Sequence, residues 1–236
     1  MSNITIDVII PSRQKPMKEC IAGVLFNTPP ISSYKVVVDD GRGQTLIRYE
    51  GALESKADFV LLLDDDASMR PGVVQKYLDK ILEGYDAVCG HTNPLPLNNF
   101  SKRITKFMTN PSTFFYPVGC TLWRREKFIK IMNEIGQIHK YLGDNRLNEQ
   151  IVKGNYKVVR CEDAITDHLW KTTPSKFFKK RLGYGYALAE MYYIDGTFFR
   201  NWLKFLVSIP LSTGYGIFLY RLATFIGMTK YLVKKI

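Results

Sequence analysis

Acidic residues are almost missing from the last quarter of this chain. Residues 171–236 hold 11 Lys/Arg and 2 Asp/Glu, a net +9, whereas residues 1–170 hold 22 and 20, a net +2. Such a tail excludes a cationic partner and favours an anionic one. Cysteine is scarce as well: the four, at 20, 89, 120 and 161, have neither the spacing of a zinc site nor that of a disulfide framework. A reducing compartment fits that usage. No basic segment followed by an apolar core opens the chain, so no cleaved signal is expected. Long hydrophobic runs are absent too. Phe205 to Tyr220 is uncharged for 16 residues but is broken by Pro210, Gly214 and Gly216, and a spanning helix needs ~20. The segment Ser12-Arg13-Gln14-Lys15-Pro16 contains no glycine, which counts against the phosphate-cradling loop of a nucleotidyltransferase. Neither an internal repeat nor a low-complexity segment is present.

What remains is a chain of 236 residues, 46% hydrophobic, enough for one sizeable domain and an appendage. Its most informative stretch is Val60-Leu61-Leu62-Leu63-Asp64-Asp65-Asp66. Four apolar residues read as a strand buried on both faces. Three carboxylates at its carboxyl end stay out of the core, because burying an unpaired charge is costly. They belong at a sheet edge, where ligands bind in open α/β folds. A hard cation such as Mn²⁺ or Mg²⁺ relieves their mutual repulsion and carries substrate phosphates as further ligands. A plain Asp-rich turn is the alternative.

Two further strands end the same way. Ile4 to Ile10 runs into Pro11-Ser12-Arg13, and Tyr34 to Val38 runs into Asp39-Asp40-Gly41. Helical patterns at Lys15–Phe26 and Gln44–Ser55 lie between them, the βαβ alternation of a mostly parallel sheet flanked by helices. Pro71 to Glu83 reads as the next helix and Tyr85 to Cys89 as a strand. His91 to Ser112 reads as a loop or short helix over the site. Helices at Lys127–Ile135 and Asp144–Lys153 follow, then short strands at Tyr156–Arg160 and Glu162–Trp170.

In order along residues 4 to 170, these segments resemble family 2 glycosyltransferases of the GT-A fold. Ile6-Asp7-Val8-Ile9-Ile10-Pro11-Ser12 resembles the opening strand, and Val36-Val37-Val38-Asp39-Asp40-Gly41 resembles V-V-D-D-G-S. Ile47-Arg48-Tyr49-Glu50-Gly51 is similar to the A-R-N-x-G helix, with Tyr49 for Asn. Ala57 to Asp66 resembles the strand that delivers D-x-D, and Val118 to Glu126 the segment G-x-x-x-x-x-R-R-E. Arg42 stands where the family has Ser, and Gly143-Asp144-Asn145-Arg146-Leu147 occupies the place of E-D-x-D/E-L.

The resemblance implies an inverting, metal-dependent hexosyl transfer from a nucleotide-sugar, with a UDP-sugar favoured over a GDP-sugar, to a lipid-linked or surface glycan. It assigns Asp66 as the direct metal ligand and Asp64 to the ribose or a metal-bound water, with Asp65 able to replace either. Asp39 would read the nucleobase, Pro11, Ser12 and Arg13 would hold the nucleoside, and Asp40 and Arg48 would complete the donor site. Asp144 is the candidate base, with helix capping as its equal alternative. His168 is a third metal ligand or a surface group, and Trp123 a sugar-stacking or a core ring.

From Ser175 the pattern changes, and the boundary falls near Lys171, separating a catalytic domain at 1–170 from a helical appendage at 171–236. Phe178, Leu182, Tyr186, Ala189 and Tyr193 recur at helical spacing, with Lys176, Lys179 and Lys180 off that stripe. Basic, aromatic and apolar together favour an anionic membrane surface, on the cytoplasmic face, over nucleic acid. The uncharged stretch reads as a re-entrant or interfacial hairpin. A subdomain packing element, or a homodimer contact through these helices, is the alternative.

Overall fold

The computed structural model describes residues 4–28, 30–108, 118–136, 143–194, 196–208 and 215–235. The chain divides into two compact units, one of Met1–Leu95 with Phe114–Leu169, the other of Pro96–Thr113 with Trp170–Ile236.

The first unit is an α/β layer structure of the GT-A type. Its strands are β1 (Ile6–Ser12), β2 (Ser33–Val38), β3 (Phe59–Leu63), β4 (Ala67–Met69), β5 (Ala87–Pro96), β6 (Cys120–Arg124) and β7 (Val158–Trp170), in the order β2-β1-β3-β6-β5-β7-β4. Helices α1 (Lys18–Leu25), α2 (Gln44–Glu54) and α3 (Val73–Leu82) flank them, while α4 (Asn99–Met108) belongs to the other unit; α5 (Arg125–Ile135) and α6 (Gly143–Lys153) complete the layer.

β1 pairs in parallel with β2 and β3, whereas β6 is antiparallel to β3 and β5, and β4 to β7. The sheet is therefore mixed, and the parallel run read from the βαβ alternation ends at β3. A parallel neighbour needs a crossover that returns the chain to the starting end of the sheet. β3 and β5 share a direction through such a crossover, α3, but the segment that leaves β5 re-enters the sheet as an antiparallel neighbour, β6.

The apolar run of β3 is sorted by the strand's period of two. Leu61 and Leu63 join Ile6, Val8 and Ile10 under α1 and α3, whose Cys20, Val24, Val74, Tyr77 and Ile81 cover them. Val60 and Leu62 join Ile9 on the other face under Ala52, Phe128, Ile131, Leu147 and Ile151 of α2, α5 and α6. Trp123 is 1% exposed and packs 5.7 Å from Phe128, so it is a core ring and not a sugar platform.

Two local expectations change. The two short strands expected at 156–170 are one strand, β7. The segment 91–112, expected as a loop or short helix, first continues β5 to Pro96 and then forms the helix α4, with 109–112 outside the described residues.

The second unit is helical: α4, α7 (Pro174–Ile194), α8 (Phe198–Ser208) and α9 (Tyr215–Lys235). α7 and α9 cross with backbones touching. A Cβ on Gly185 would lie 2.1 Å from the Thr224 carbonyl oxygen, and one on Gly227 2.2 Å from that of Leu182. Phe100 of α4 meets Phe177 of α7 edge-on at 6.0 Å, and Ser101 Oγ accepts from the Thr172 amide at 3.1 Å. Of the hairpin expected at 205–220, residues 209–214 lie outside the described residues. Among the described residues no helix is long and apolar enough to cross a membrane.

Candidate active site

The backbone of the carboxylate run is pinned by distant segments. The Asp64 amide donates to the Gly119 carbonyl at 3.0 Å, Met17 N–H donates to Asp65 O at 3.0 Å, and Leu169 N–H donates to Asp66 O at 2.7 Å. The three side chains then diverge. Asp64 pairs with Arg48 of α2, Asp65 accepts from the Ser12 hydroxyl at the end of β1, and Asp66 Oδ1 lies 3.0 Å from His168 Nε2 on β7. β4 carries this geometry: Ala67 opposes His168 in the β4–β7 register, so the residue before Ala67 falls beside the imidazole. Ligand atoms of Asp64, Asp66 and His168 all lie within 4.8 Å of one another. Two hard carboxylate oxygens and one imidazole nitrogen form a donor set that suits a divalent cation.

Gly119 makes this arrangement possible. A Cβ there would sit 1.9 Å from Asp64 Oδ2, so a larger residue would push the carboxylate out.

Burial raises the Asp64 carboxyl's proton affinity, with Asp66 and Asp144 adding to it and Arg48 and His168 opposing it. Asp65 is raised by burial against the Ser12 hydrogen bond, with Asp66 adding to the rise. Cys20 lies beneath the run. Burial and the three aspartates push its thiol up to about 12, so it is a neutral packing group rather than a nucleophile.

Arg48 is the most deeply buried charge of the site, 1% exposed. Its guanidinium pairs with Asp64 and reaches Asp144 Oδ1 through Nη1 at 3.8 Å. Its buried Nε makes no hydrogen bond among the described residues.

Asp144 lies inside the first turn of α6, side chain 45% exposed, with Thr45 Oγ1 at 3.4 Å. Thr45 carried no motif in the sequence. It reaches this place because Gly143 lets α6 close on α2: a Cβ there would lie 1.9 Å from Thr45 Oγ1. Two carboxylates of β7 that could serve the same task are engaged elsewhere. Asp163 pairs with Lys76 at 2.7 Å, and Asp167 takes a bidentate grip from Arg70 at 3.0 and 2.9 Å and a bond from Asn93 at 2.6 Å.

At the end of β2, Asp39 Oδ1 accepts from the Gly41 amide at 2.9 Å and Oδ2 from Arg13 Nε at 2.9 Å. Burial raises its proton affinity, but Gly41, Arg13 and Gly43 outweigh it, leaving the carboxyl below the usual range. The turn needs glycine, since Gly41 has φ +97°. Asp40 and Glu50 both hold Arg42, at 2.7 and 2.6 Å, which turns the departure from serine into a surface ion-pair cluster. Pro11 pairs with Val37 between β1 and β2 and brings Ser12 and Arg13 beside Asp39.

The fold has solved relatives. A197 from STIV superposes with a TM-score of 0.52 at 17% identity, over 71% of this chain and 87% of that one. GalNAc-T7 with UDP, GalNAc and Mn²⁺ gives 0.52 at 13%, over 76% of this chain and 47% of that one. A mycobacterial protein gives 0.53 at 13%, over 79% and 74%. No curated protein matches the sequence. The motifs in the sequence, the carboxylate run at the end of β3 and the GT-A sheet converge with the family model described as glycosyl transferase family 2, which matches residues 31–149, and this chain belongs to that family.

Proposed function

We propose that this glycosyltransferase moves a hexosyl group from a nucleotide-diphosphate sugar to an acceptor hydroxyl with inversion, using a divalent cation held by Asp64, Asp66 and His168. The observation that carries this reading is the convergence of those three side chains at the end of β3, with Asp144 linked to them through Arg48. Mn²⁺ is favoured over Mg²⁺ because one ligand is an imidazole nitrogen, outside the oxygen set that Mg²⁺ prefers. When bound, the cation supplies positive charge for the diphosphate that leaves.

The chain's own groups do the rest. Asp39, ionised and with lone pairs left after its bonds to Gly41 and Arg13, accepts the imide N–H of uracil. That suits the uracil of a UDP-sugar. Ser12 and Arg13, beside Asp39, border the nucleoside, and the Ser12 hydroxyl steadies Asp65. Asp40 shapes the turn through Arg42. Asp144 takes the acceptor proton as the new bond forms, and Arg48 orients it against Asp64. Attack opposite the diphosphate inverts the anomeric centre. The acceptor is a lipid-linked or surface glycan. The tail's net charge of +9 supports docking on an anionic membrane at the cytoplasmic face, with no role for nucleic acid.

Asp144→Asn tests the chemistry. With UDP-sugars and Mn²⁺, kcat should fall ~10²-fold while donor binding holds. Lost donor affinity with kcat preserved would remove Asp144 from the base role.

A further inference from the structure

The membrane reading rests on sequence charge; the second unit bears on where such contact would be made. α8 is apolar on two arcs. One arc, Phe198 and Trp202, is turned onto α9: Phe198 is buried, and Trp202 packs 5.2 Å from Phe225 and donates from Nε1 to Thr229 Oγ1 at 3.1 Å. The other arc, Phe199, Leu203, Leu206 and Val207, follows helical spacing and faces out, with Phe199 69% and Val207 58% exposed. Such a row on a helix with an inner face already packed is more than scattered surface apolarity.

Its flanks are cationic. Arg200 and Lys204, four apart, are exposed along one border of the row. From Phe198 to Ile236 the chain has six Lys/Arg and no Asp or Glu. Beyond Trp202, an apolar groove of ≈ 260 Å³ runs along α9, lined by Phe225, Ile226, Thr229, Lys230 and Val233. Apolar side chains at the centre and basic groups at the border match the interface of an anionic bilayer. A second copy of this chain would bring the same unbalanced cations against each other, which like charge opposes.

We infer that α8 is the lipid-inserting element of this protein: Phe199, Leu203, Leu206 and Val207 enter the acyl boundary of an anionic bilayer, and Arg200 and Lys204 contact its head groups. This rests on the membrane reading above and relocates it. The basic residues of α7 differ in their surroundings: Lys176, Lys179 and Lys180 are exposed. Arg181 lies over the rings of Phe177, Tyr184 and Tyr220 at 5.3, 5.3 and 4.7 Å.

Full-length protein carrying Leu203→Cys, labelled with a polarity-sensitive dye, is mixed with phosphatidylcholine vesicles with or without phosphatidylglycerol. The four native cysteines are buried, so the label is selective. The dye should shift to the blue with anionic vesicles only. In co-sedimentation, Arg200→Gln with Lys204→Gln should weaken binding about 30-fold, and Phe199→Ser with Leu203→Ser at least about 10-fold in a part that salt does not remove. Circular dichroism and donor turnover on a soluble acceptor should match the parent. Binding to anionic vesicles with no shift at position 203, or with Lys176, Lys179 and Lys180 as the residues that matter, would overturn the α8 assignment and leave the membrane reading standing. Failure of the full-length chain to bind any vesicle would overturn both. A concentration-dependent rise in mass that the serine pair abolishes would make the row a dimer contact and also overturn it.

Discussion

The two units of this protein handle charge and apolar surface in opposite ways. In the first, apolar residues vanish into both faces of the sheet, and the charges that cannot follow gather at the end of β3, each with an assigned partner: Asp64 with Arg48, Asp65 with Ser12, Asp66 with His168. In the second, the sequence from Phe198 onward carries charge of one sign only, and an apolar row stands outside a helix already packed on its inner side. A folded structure that opposes its own like charges at one place invites a cation. One that displays cations beside apolar side chains suits an anionic interface. The contrast teaches that the two regions suit different partners, so variants of each should fail independently.

The largest expected effect falls on the first unit alone. Asp66→Asn should lower Mn²⁺-dependent turnover about 10³-fold and abolish the rise in melting temperature that Mn²⁺ gives the parent. Vesicle binding should be unchanged. Full turnover, or turnover undiminished in excess chelator, would remove the metal from the reading, and lost vesicle binding would show that the units are not independent.

Next comes the buried guanidinium. Arg48→Met leaves Asp64 in a desolvated place without its counter-charge, so urea unfolding should show a loss of about 3 kcal/mol. A loss below about 1 kcal/mol would mean that Arg48 serves the reaction and not the fold. The contrast with the tail is sharp, because exchanging the exposed Arg200 or Lys204 for Gln should barely move the unfolding curve.

The smallest effect is acid-side. Asp39 holds its proton less tightly folded than unfolded. Its stabilising contribution is therefore complete above the ordinary carboxylate range and is lost as pH falls through the lowered folded value. Arg13→Ala should raise the Asp39 titration point in carboxyl NMR and shrink that contribution, by less than about 1 kcal/mol because Arg13 is largely solvated. An unmoved titration point would leave the Gly41 and Gly43 amides as the whole cause.

The two-unit division also decides how these experiments are built. Cutting the chain near Lys171 would seem to isolate the catalytic part, but α4 would lose Phe177 and Thr172, its partners in the second unit. Full-length variants avoid that exposed surface.

By itself the sequence determined the strand that is buried on both faces, the three strand ends rich in polar groups, and the sign of the tail. Each of these is written in neighbouring residues, through the unbroken apolar run Val60–Leu63 or the plain absence of acid after Asp195. The family was legible too, from motifs in the right order. Only the tertiary structure decided what the three aspartates do. They sit on a turn, where strand alternation no longer dictates direction, and residues far along the chain sort them: Gly119 and Arg48 for Asp64, Ser12 for Asp65, His168 for Asp66. Thr45 beside Asp144 and the antiparallel entry of β6 were silent for the same reason, being set by contacts distant in sequence. The outward face of α8 followed from where α9 lies, because a helix apolar on two arcs does not itself say which arc is covered.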